Sequence, residues 1–398
     1  MSSSRRPVAL VVAHQYLPSD PRIRRELDAL ADAGVSVDAL CLRAPGEGFR
    51  DEYRGHRLYR LPVRRHRGAG LGVYLLEYAA FLVLAFAATT WLHLLRRYRT
   101  VVTHTLPDPL VFAALVPRLL GARVVIDMHE FTPELFRTRY AVAETHPLIR
   151  LSALLERASC AFATHVVTVH EPGVELLASR GVSRAKLVVI PNSDEMRAPP
   201  GVEGGSARER AADDASRPFT LVYHGLLLNQ YDLATGLHAL ARLDRSERPV
   251  LLRIVGEGPD EPELRRLAAG LGLADRVRFE PLVSPADIPA ILAECDAGLV
   301  PLRDVVYTHL MLPMKLLECA AHGLPIITTP SRTVRHYFPD DAVCYVPFGD
   351  ADALAGAIRR MRDDAAYRRR LRAAAAEAVR PMRWELAGRR YAELLRRA

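Results

Sequence analysis

The sequence predicts an α/β protein made of two doubly wound, Rossmann-like domains that face an interdomain cleft. Three observations carry this expectation. Continuous apolar runs of strand length alternate with segments of helical periodicity from the first residues onward. Runs of that kind mark parallel strands covered by helices on both faces. A stretch rich in Pro, Gly, Ala and charge, Met196 to Pro218, interrupts the alternation, and the alternation restarts beyond it. At 398 residues there is room for two domains, each with its own core.

Val8–Ala13 reads as the first strand and not as a signal peptide, because His14 bounds the apolar run and a charged helix follows. That helix covers Ile23–Ala33 and stops at Gly34, and Val35–Leu42 is the next strand. The rhythm returns with strands at Thr100–His104, Arg123–Met128 and His165–Val169, with Pro109–Leu120 between the first two. Beyond the interruption, strands are predicted at Thr220–Tyr223, Leu251–Val255, Val277–Glu280, Ala297–Val300, Pro325–Thr329 and Cys344–Val346. The tail from Tyr367 to Ala398 is helical, broken at Pro381, with Trp384 suited to anchor it. The expected division is an N-terminal domain over 1–197, a linker over 198–217, a C-terminal domain over 218–380, and a helix over 381–398 that packs back on the first domain. In doubly wound sheets ligands bind beyond the carboxyl ends of the strands, which puts the expected site in the cleft.

Composition is that of a soluble globular chain, 49% hydrophobic and 25% charged, which excludes large-scale disorder. The net charge of +8 implies an anionic partner: nucleic acid, acidic lipid or a phosphorylated small molecule. No nucleic-acid-binding motif accompanies the charge, so nucleic acid is not an expected partner. Five cysteines without CxxC spacing read as small buried hydrophobes in a reducing cytoplasm. No HExxH or Cys/His spacing points to a metal, and Asp213-Asp214, Asp340-Asp341 and Asp363-Asp364 read as solvated charge.

Tyr78–Leu95 carries no charge when His93 is neutral, and arginines flank it: Arg64, Arg65 and Arg67 before, Arg96, Arg97 and Arg99 after. A spanning helix needs about 20 apolar residues, so the segment is borderline. Three readings stay open: a buried helix of a large α/β domain, a helix lying in the membrane surface with arginines at the headgroups, and a true span. The second makes 64–99 a peripheral membrane contact at the cytoplasmic face.

The chemistry-bearing stretch is Leu312–Pro325. Pro313 suits a first helical turn, and Lys315 and Glu318 then lie on one side of the helix. A helix N-terminus preceded by a loop is an anion site. Lys315 adds a full charge for a diphosphate, and Glu318 one turn deeper is placed to accept hydrogen bonds from ribose hydroxyls; the plain alternative is a surface ion pair. Gly256 and Gly258 form a Gly-x-Gly turn after a strand, by itself a weak signal. His104 and His129 both follow predicted strands, where reactive groups collect.

These segments together resemble the family-4 retaining glycosyltransferases of the GT-B fold. That family's signature is Glu-x7-Glu followed by Gly-x-Pro, and Glu318, Gly323 and Pro325 match its second half. Leu312, Pro313, Lys315, Leu316, Leu317 and Glu318 fit the branch in which the motif reads LPxKLLE. The first Glu, a reader of the donor sugar, falls at Leu310. Tyr223-His224-Gly225 resembles the turn whose backbone approaches the diphosphate, but Leu226 and Tyr231 stand where Arg and Lys are common. Ile254–Pro259 is similar to the VGxGP turn, and Arg278–Val283, with Leu282, to the segment that reads the base; Pro281 there removes an N–H. In the N-terminal half, Asp20–Glu26 resembles the DpRvrrE segment, Ile126–Pro133 the DxHE segment, and Pro191–Asp194 the turn before the linker.

The resemblance implies a metal-independent, retaining hexosyltransferase without a cofactor, taking a nucleoside diphosphate sugar as donor. Its acceptor is expected to be a glycan or lipid-linked molecule in surface polysaccharide assembly. It implies donor binding by Gly225, Gly256, Gly258, Leu282, Pro313, Lys315 and Glu318, and acceptor-side groups Arg22, His104, His129 and Glu130. His129, Lys315 and Glu318 are the expected catalytic set. The losses at Leu310, Leu226 and Tyr231 also suit a non-catalytic relative that supports a partner transferase. An epimerase or hydrolase on the same fold is a third alternative.

Overall fold

Parallel strand pairing organises both halves of the chain. The structure, a computed structural model, describes residues 7–66, 71–193, 217–244 and 248–396. They group into unit 1 (Met1–Asn192 with Trp384–Ala398) and unit 2 (Ser193–Arg383). Apart from Arg217, the predicted linker lies outside the described residues, as do Arg67 and Asp194.

Unit 1 runs β1 (Ala9–Tyr16), α1 (Pro21–Asp32), β2 (Val37–Leu42), β3 (Arg50–Tyr53), β4 (His56–Leu61), α2 (Leu71–Arg96) and β5 (Thr100–His104). It continues with α3 (Leu115–Leu119), β6 (Arg123–Met128), α4 (Thr132–Tyr140), α5 (Pro147–Phe162), β7 (His165–Thr168), α6 (Glu171–Ser179) and β8 (Leu187–Val189). The strand order is β3-β4-β2-β1-β5-β6-β7-β8, and every pair but β3–β4 is parallel.

Unit 2 runs β9 (Phe219–His224), α7 (Leu233–Ala241), β10 (Val250–Val255), α8 (Glu261–Gly270), β11 (Val277–Glu280), α9 (Ile288–Ala293) and β12 (Ala297–Val300). Then come α10 (Met314–Ala321), β13 (Ile326–Thr328), α11 (Arg332–Tyr337), β14 (Cys344–Tyr345), α12 (Ala351–Asp363) and α13 (Ala365–Val379). Its order is β11-β10-β9-β12-β13-β14, all parallel. Alternate residues of β9 serve opposite faces: Leu221 and Tyr223 join one core cluster, Val222 the other. In both sheets the order reverses beside a central strand, at β1/β5 and at β9/β12. Those are the switch points where a doubly wound sheet opens a crevice at the carboxyl ends.

Two predicted features came out differently. The β3–β4 hairpin was not expected, because its sequence is charged and not apolar. It is an edge, with Arg50, Asp51 and Glu52 exposed, and charge is what keeps an edge strand from pairing with other chains. Its two-residue turn places Arg54 and Gly55 at φ +49° and +84°, the conformation tight hairpins need. Pro109–Leu120 is not one helix: a 3-10 segment over Asp108–Ala114 leads into the short α3.

The helix α2 is not enclosed, which overturns the buried-helix reading. Its inward stripe is Glu77, Phe81, Ala85, Thr89 and Leu92, at helical spacing. The opposite side is equally apolar and open, with Leu76 73%, Val83 66% and Leu94 59% exposed. Only 22% of its most apolar 18-residue window is buried.

The chain returns to unit 1 through α14 (Trp384–Arg396). Trp384, Tyr391 and Leu395 share a core with Ile23, Leu27 and Leu30 of α1. Gly388 is needed there, since a Cβ would press on Ala29 at 2.9 Å. Trp384→Ala should lower the unfolding free energy of unit 1 by about 3 kcal/mol, as large buried aromatic truncations do. Urea denaturation measures this; a loss below about 1 kcal/mol would show that the tail is not part of that core.

Candidate functional site

Unit 2 assembles a site at the carboxyl ends of β9 and β10. Gly225 follows β9 at φ +100°, and its N–H donates to the Val255 carbonyl at 2.8 Å. A Cβ on Gly256 would collide with the Gly225 carbonyl oxygen, and one on Gly258 with the Leu227 carbonyl. Two strand ends therefore meet backbone to backbone, an approach that only glycine permits. Leu282 lies one strand further out, 45% exposed beyond β11, whose Glu280 carbonyl accepts from Gly256 N–H at 2.9 Å.

Helix α10 starts beside this floor. Pro313 is its N-cap with extended backbone and gives it no side-chain cap bond. Lys315 does not form the surface pair with Glu318 that the spacing allows. Its side chain turns inward and is only 7% exposed. The ammonium donates to the Tyr223 hydroxyl at 3.0 Å and lies 3.4 Å above the Tyr231 ring. It borders Gly225, where a Cβ would stand 3.6 Å from Nζ. Burial drives its pKa down to about 7, against a smaller opposing pull from Glu318 and Cys319.

Glu318 instead faces His224, whose Nδ1 is 3.5 Å from its carboxylate. Burial, with Lys315 and His322 nearby, holds His224 down to about 3, so the ring is neutral. Leu310 is buried in the 3-10 turn Thr308–Leu310 and brings no polar atom where the resemblance places a sugar-reading Glu. Arg332 is exposed and lies outside this cluster.

Unit 1 assembles a second cluster at the ends of β5 and β6. His104 and Asp127 are register partners on these strands, and His129 follows one residue beyond β6. Arg22 was expected to present its charge to an acceptor. It is 5% exposed, and its Nη2 donates to both oxygens of Asp127 at 2.9 Å while Nε lies 3.1 Å from Glu26. Its cation is spent on holding Asp127 ionised. Burial alone would raise that carboxyl, but Arg22 and His129 pull it well below the usual range. Glu26 goes the other way, raised by burial and by the neighbouring Asp127 charge.

His104 is fully enclosed, with Nε2 3.2 Å from Glu26, and burial lowers it to about 4. His129 is the most open member, its side chain 19% exposed and Nδ1 3.9 Å from Asp127. Glu130 is half-buried beside it. An imidazole backed by a fixed carboxylate is oriented to exchange a hydrogen bond or proton with a hydroxyl. The ring nitrogens and carboxylate of His104, Asp127 and His129 lie close enough to hold a cation. Arg22 already occupies both Asp127 oxygens with a full positive charge, which opposes a metal there.

Sequence reasoning missed Glu26, Asp127, His224 and Tyr391 as members of these clusters. Glu26 stands one helical turn after Arg22, and Asp127 two residues before His129, so both carried a readable signal. Tyr391, buried on α14 against Glu26, carried none.

Residues 19–193 match the family model described as a glycosyl transferase 4-like domain, and residues 218–364 match that of glycosyl transferases group 1. The chain is 25% identical over 317 residues to the 2-deoxystreptamine glucosyltransferase of Streptomyces kanamyceticus, covering 77% of this chain and 79% of the relative. Among solved structures, sucrose-phosphate synthase from Thermosynechococcus elongatus superposes with a TM-score of 0.74 at 22% identity, over 99% of each chain. HepE of Anabaena in complex with UDP-glucose superposes at 0.68 with 15% identity, over 98% of this chain and 100% of that one.

The state of Lys315 predicts a pH signature. Between its folded value of about 7 and its ordinary 10.5, the unfolded chain binds a proton that the folded chain does not. Stability therefore rises with pH across that window, and the cost of the buried amine is fully present below it. Lys315→Met should stabilise the ligand-free protein by on the order of 3 kcal/mol near pH 6 and by almost nothing near pH 11. Urea titrations at both pH values test this; an equal offset at both would remove Lys315 as the cause.

Proposed function

We propose that this chain, whose two halves match the glycosyl transferase 4-like and the glycosyl transferases group 1 family models, moves a sugar from a nucleoside diphosphate to a lipid-linked or membrane-proximal acceptor, with retention of configuration. The observation that carries the donor half is Lys315, a buried amine against backbone that only glycine permits. A diphosphate laid along Gly225, Gly256 and Gly258 would restore its charge and meet the N–H groups of α10. Glu318, oriented beside neutral His224, would accept from the ribose. Leu282 would border the base.

No metal enters this reading, because the ammonium and the helix N-terminus supply the charge that the leaving diphosphate needs. Retention would follow from a front-face displacement in which the departing phosphate oxygen takes the acceptor's proton. The acceptor side belongs to unit 1. His129, held by Asp127, would contact the reacting sugar or the acceptor hydroxyl, with Glu130 beside it. His104, Arg22 and Glu26 act through Asp127 and are positioning residues. The open apolar face of α2 between arginines supports an acceptor carried by a membrane.

Nucleoside diphosphate release from a panel of donors, with membrane extract as acceptor source, tests the reading. His129→Ala should lower turnover on the order of 100-fold while leaving the thermal shift by nucleotide intact. Glu318→Ala should weaken that shift itself, and EDTA should change neither. If no nucleotide raises the melting temperature of the wild-type protein, the donor assignment is wrong.

A further inference from the structure

A cavity beneath the open face of α2 is used by neither cluster described above. It measures about 320 Å³ and is enclosed by α2, the 3-10 segment before α3, α4 and α5. That is within the range of about 300–1,000 Å³ typical of small-molecule pockets. Leu75, Leu82, Leu135, Leu151 and Leu155 supply most of its apolar wall. Leu75 and Leu151, 54% and 53% exposed, stand where the wall passes into solvent. Leu76 and Val83 of α2 and Leu154 of α5 are exposed as well.

Two cations also line the cavity, Arg65 and Arg139. Gln15 holds the Arg65 guanidinium at 2.6 Å, and Arg139 stacks over Tyr74 and Tyr140 at 5.7 and 5.9 Å. The one carboxyl in the lining, Asp108, is buried under the Thr132 hydroxyl at 3.1 Å, and burial raises it to about 7.

We propose that this cavity receives the hydrocarbon chain of a phosphate-bearing lipid, with Arg65 and Arg139 at the headgroup. The proposal deepens, and rests on, the reading of a lipid-borne acceptor. A polar metabolite would find few partners on a leucine wall, whereas a chain needs none. A pair of guanidiniums suits one phosphate. The helix that supplies Leu75 and Leu82 to the wall also exposes apolar residues, with Arg64 before it and Arg97 after it, the layout of an interfacial helix. A second copy of this chain is a poor occupant, since it would bring the same arginines against these.

Octyl, decyl and dodecyl phosphate, titrated below their micelle concentrations into the protein, provide the test by calorimetry. Binding should saturate at one molecule and tighten roughly tenfold for each added pair of methylenes. Octyl glucoside, lacking the phosphate, should bind more weakly than octyl phosphate. Ala79→Trp adds bulk from an exposed position in the cavity wall, so it should abolish the chain-length dependence without lowering the melting temperature. Arg65→Glu with Arg139→Glu should erase the preference for phosphate over glucoside.

Affinity independent of chain length would overturn the proposal. So would flotation with phosphatidylcholine–phosphatidylglycerol vesicles in the absence of saturable alkyl phosphate binding, since the face would then only adhere to bilayers. Sugar transfer to a water-soluble acceptor without chain binding would sink the cavity assignment and leave the transferase reading standing. Chain binding without transfer to any acceptor would do the reverse.

Discussion

An amine enclosed by two tyrosine rings, with no carboxylate in direct contact among the described residues, sets the electrostatics of the unit 2 cluster. Taking a charged ammonium from water into such a place is unfavourable, and Lys315 responds by releasing its proton near neutrality. The tyrosines stabilise the cation only in part, Tyr223 through its hydroxyl and Tyr231 through its ring face. Around the amine, Gly225, Gly256 and Gly258 bring backbone instead of side chains, α10 starts without a side-chain cap, and burial keeps His224 neutral. These are the features on which the proposed diphosphate site rests.

Unit 1 solves the opposite problem. Its central anion, Asp127, is buried deeper than Lys315 but fully compensated by the two-pronged contact with Arg22. Breaking such a pair leaves a stranded charge, with a penalty of about 3–5 kcal/mol, so the pair acts as a fixed strut. Around it, Glu26 is pushed toward its neutral form and His104 is held unprotonated, which leaves His129 as the open, adjustable member. The C-terminal helix closes this arrangement with Tyr391, so the last turns of the chain border the cluster as well as the core.

Much of the fold was legible because parallel strands in doubly wound sheets must be apolar on both faces. β5, β6 and β12 fell where their apolar runs place them, and the edge strand β11, of mixed sequence VRFE, kept its expected bounds as well. The β3–β4 edge was invisible to that criterion, because an edge strand survives by being charged. The placement of the candidate residues was legible where side chain and motif coincide: Glu318 and the three glycines stand at the ends of β9 and β10, and His129 at the end of β6. Burial changed how two of its residues read. Arg22 looked like an anion receptor and is a strut; Lys315 looked like a full charge for a diphosphate and is an enclosed amine whose pKa burial lowers to about 7. Helical spacing gives the direction of a side chain but not the depth of what covers it. The same limit applies to α2, whose composition fits a core helix and whose far side meets no protein.

The claim that unites these observations is that Lys315 regains its proton when a diphosphate binds. Titration calorimetry of the nucleoside diphosphate that raises the melting temperature most, carried out at about pH 8 in buffers of differing ionisation enthalpy, counts protons directly. Wild-type protein should take up close to one proton per ligand, and Lys315→Met none, with weaker binding. Tight binding without proton uptake in the wild-type protein, or unchanged affinity in Lys315→Met, would contradict the account.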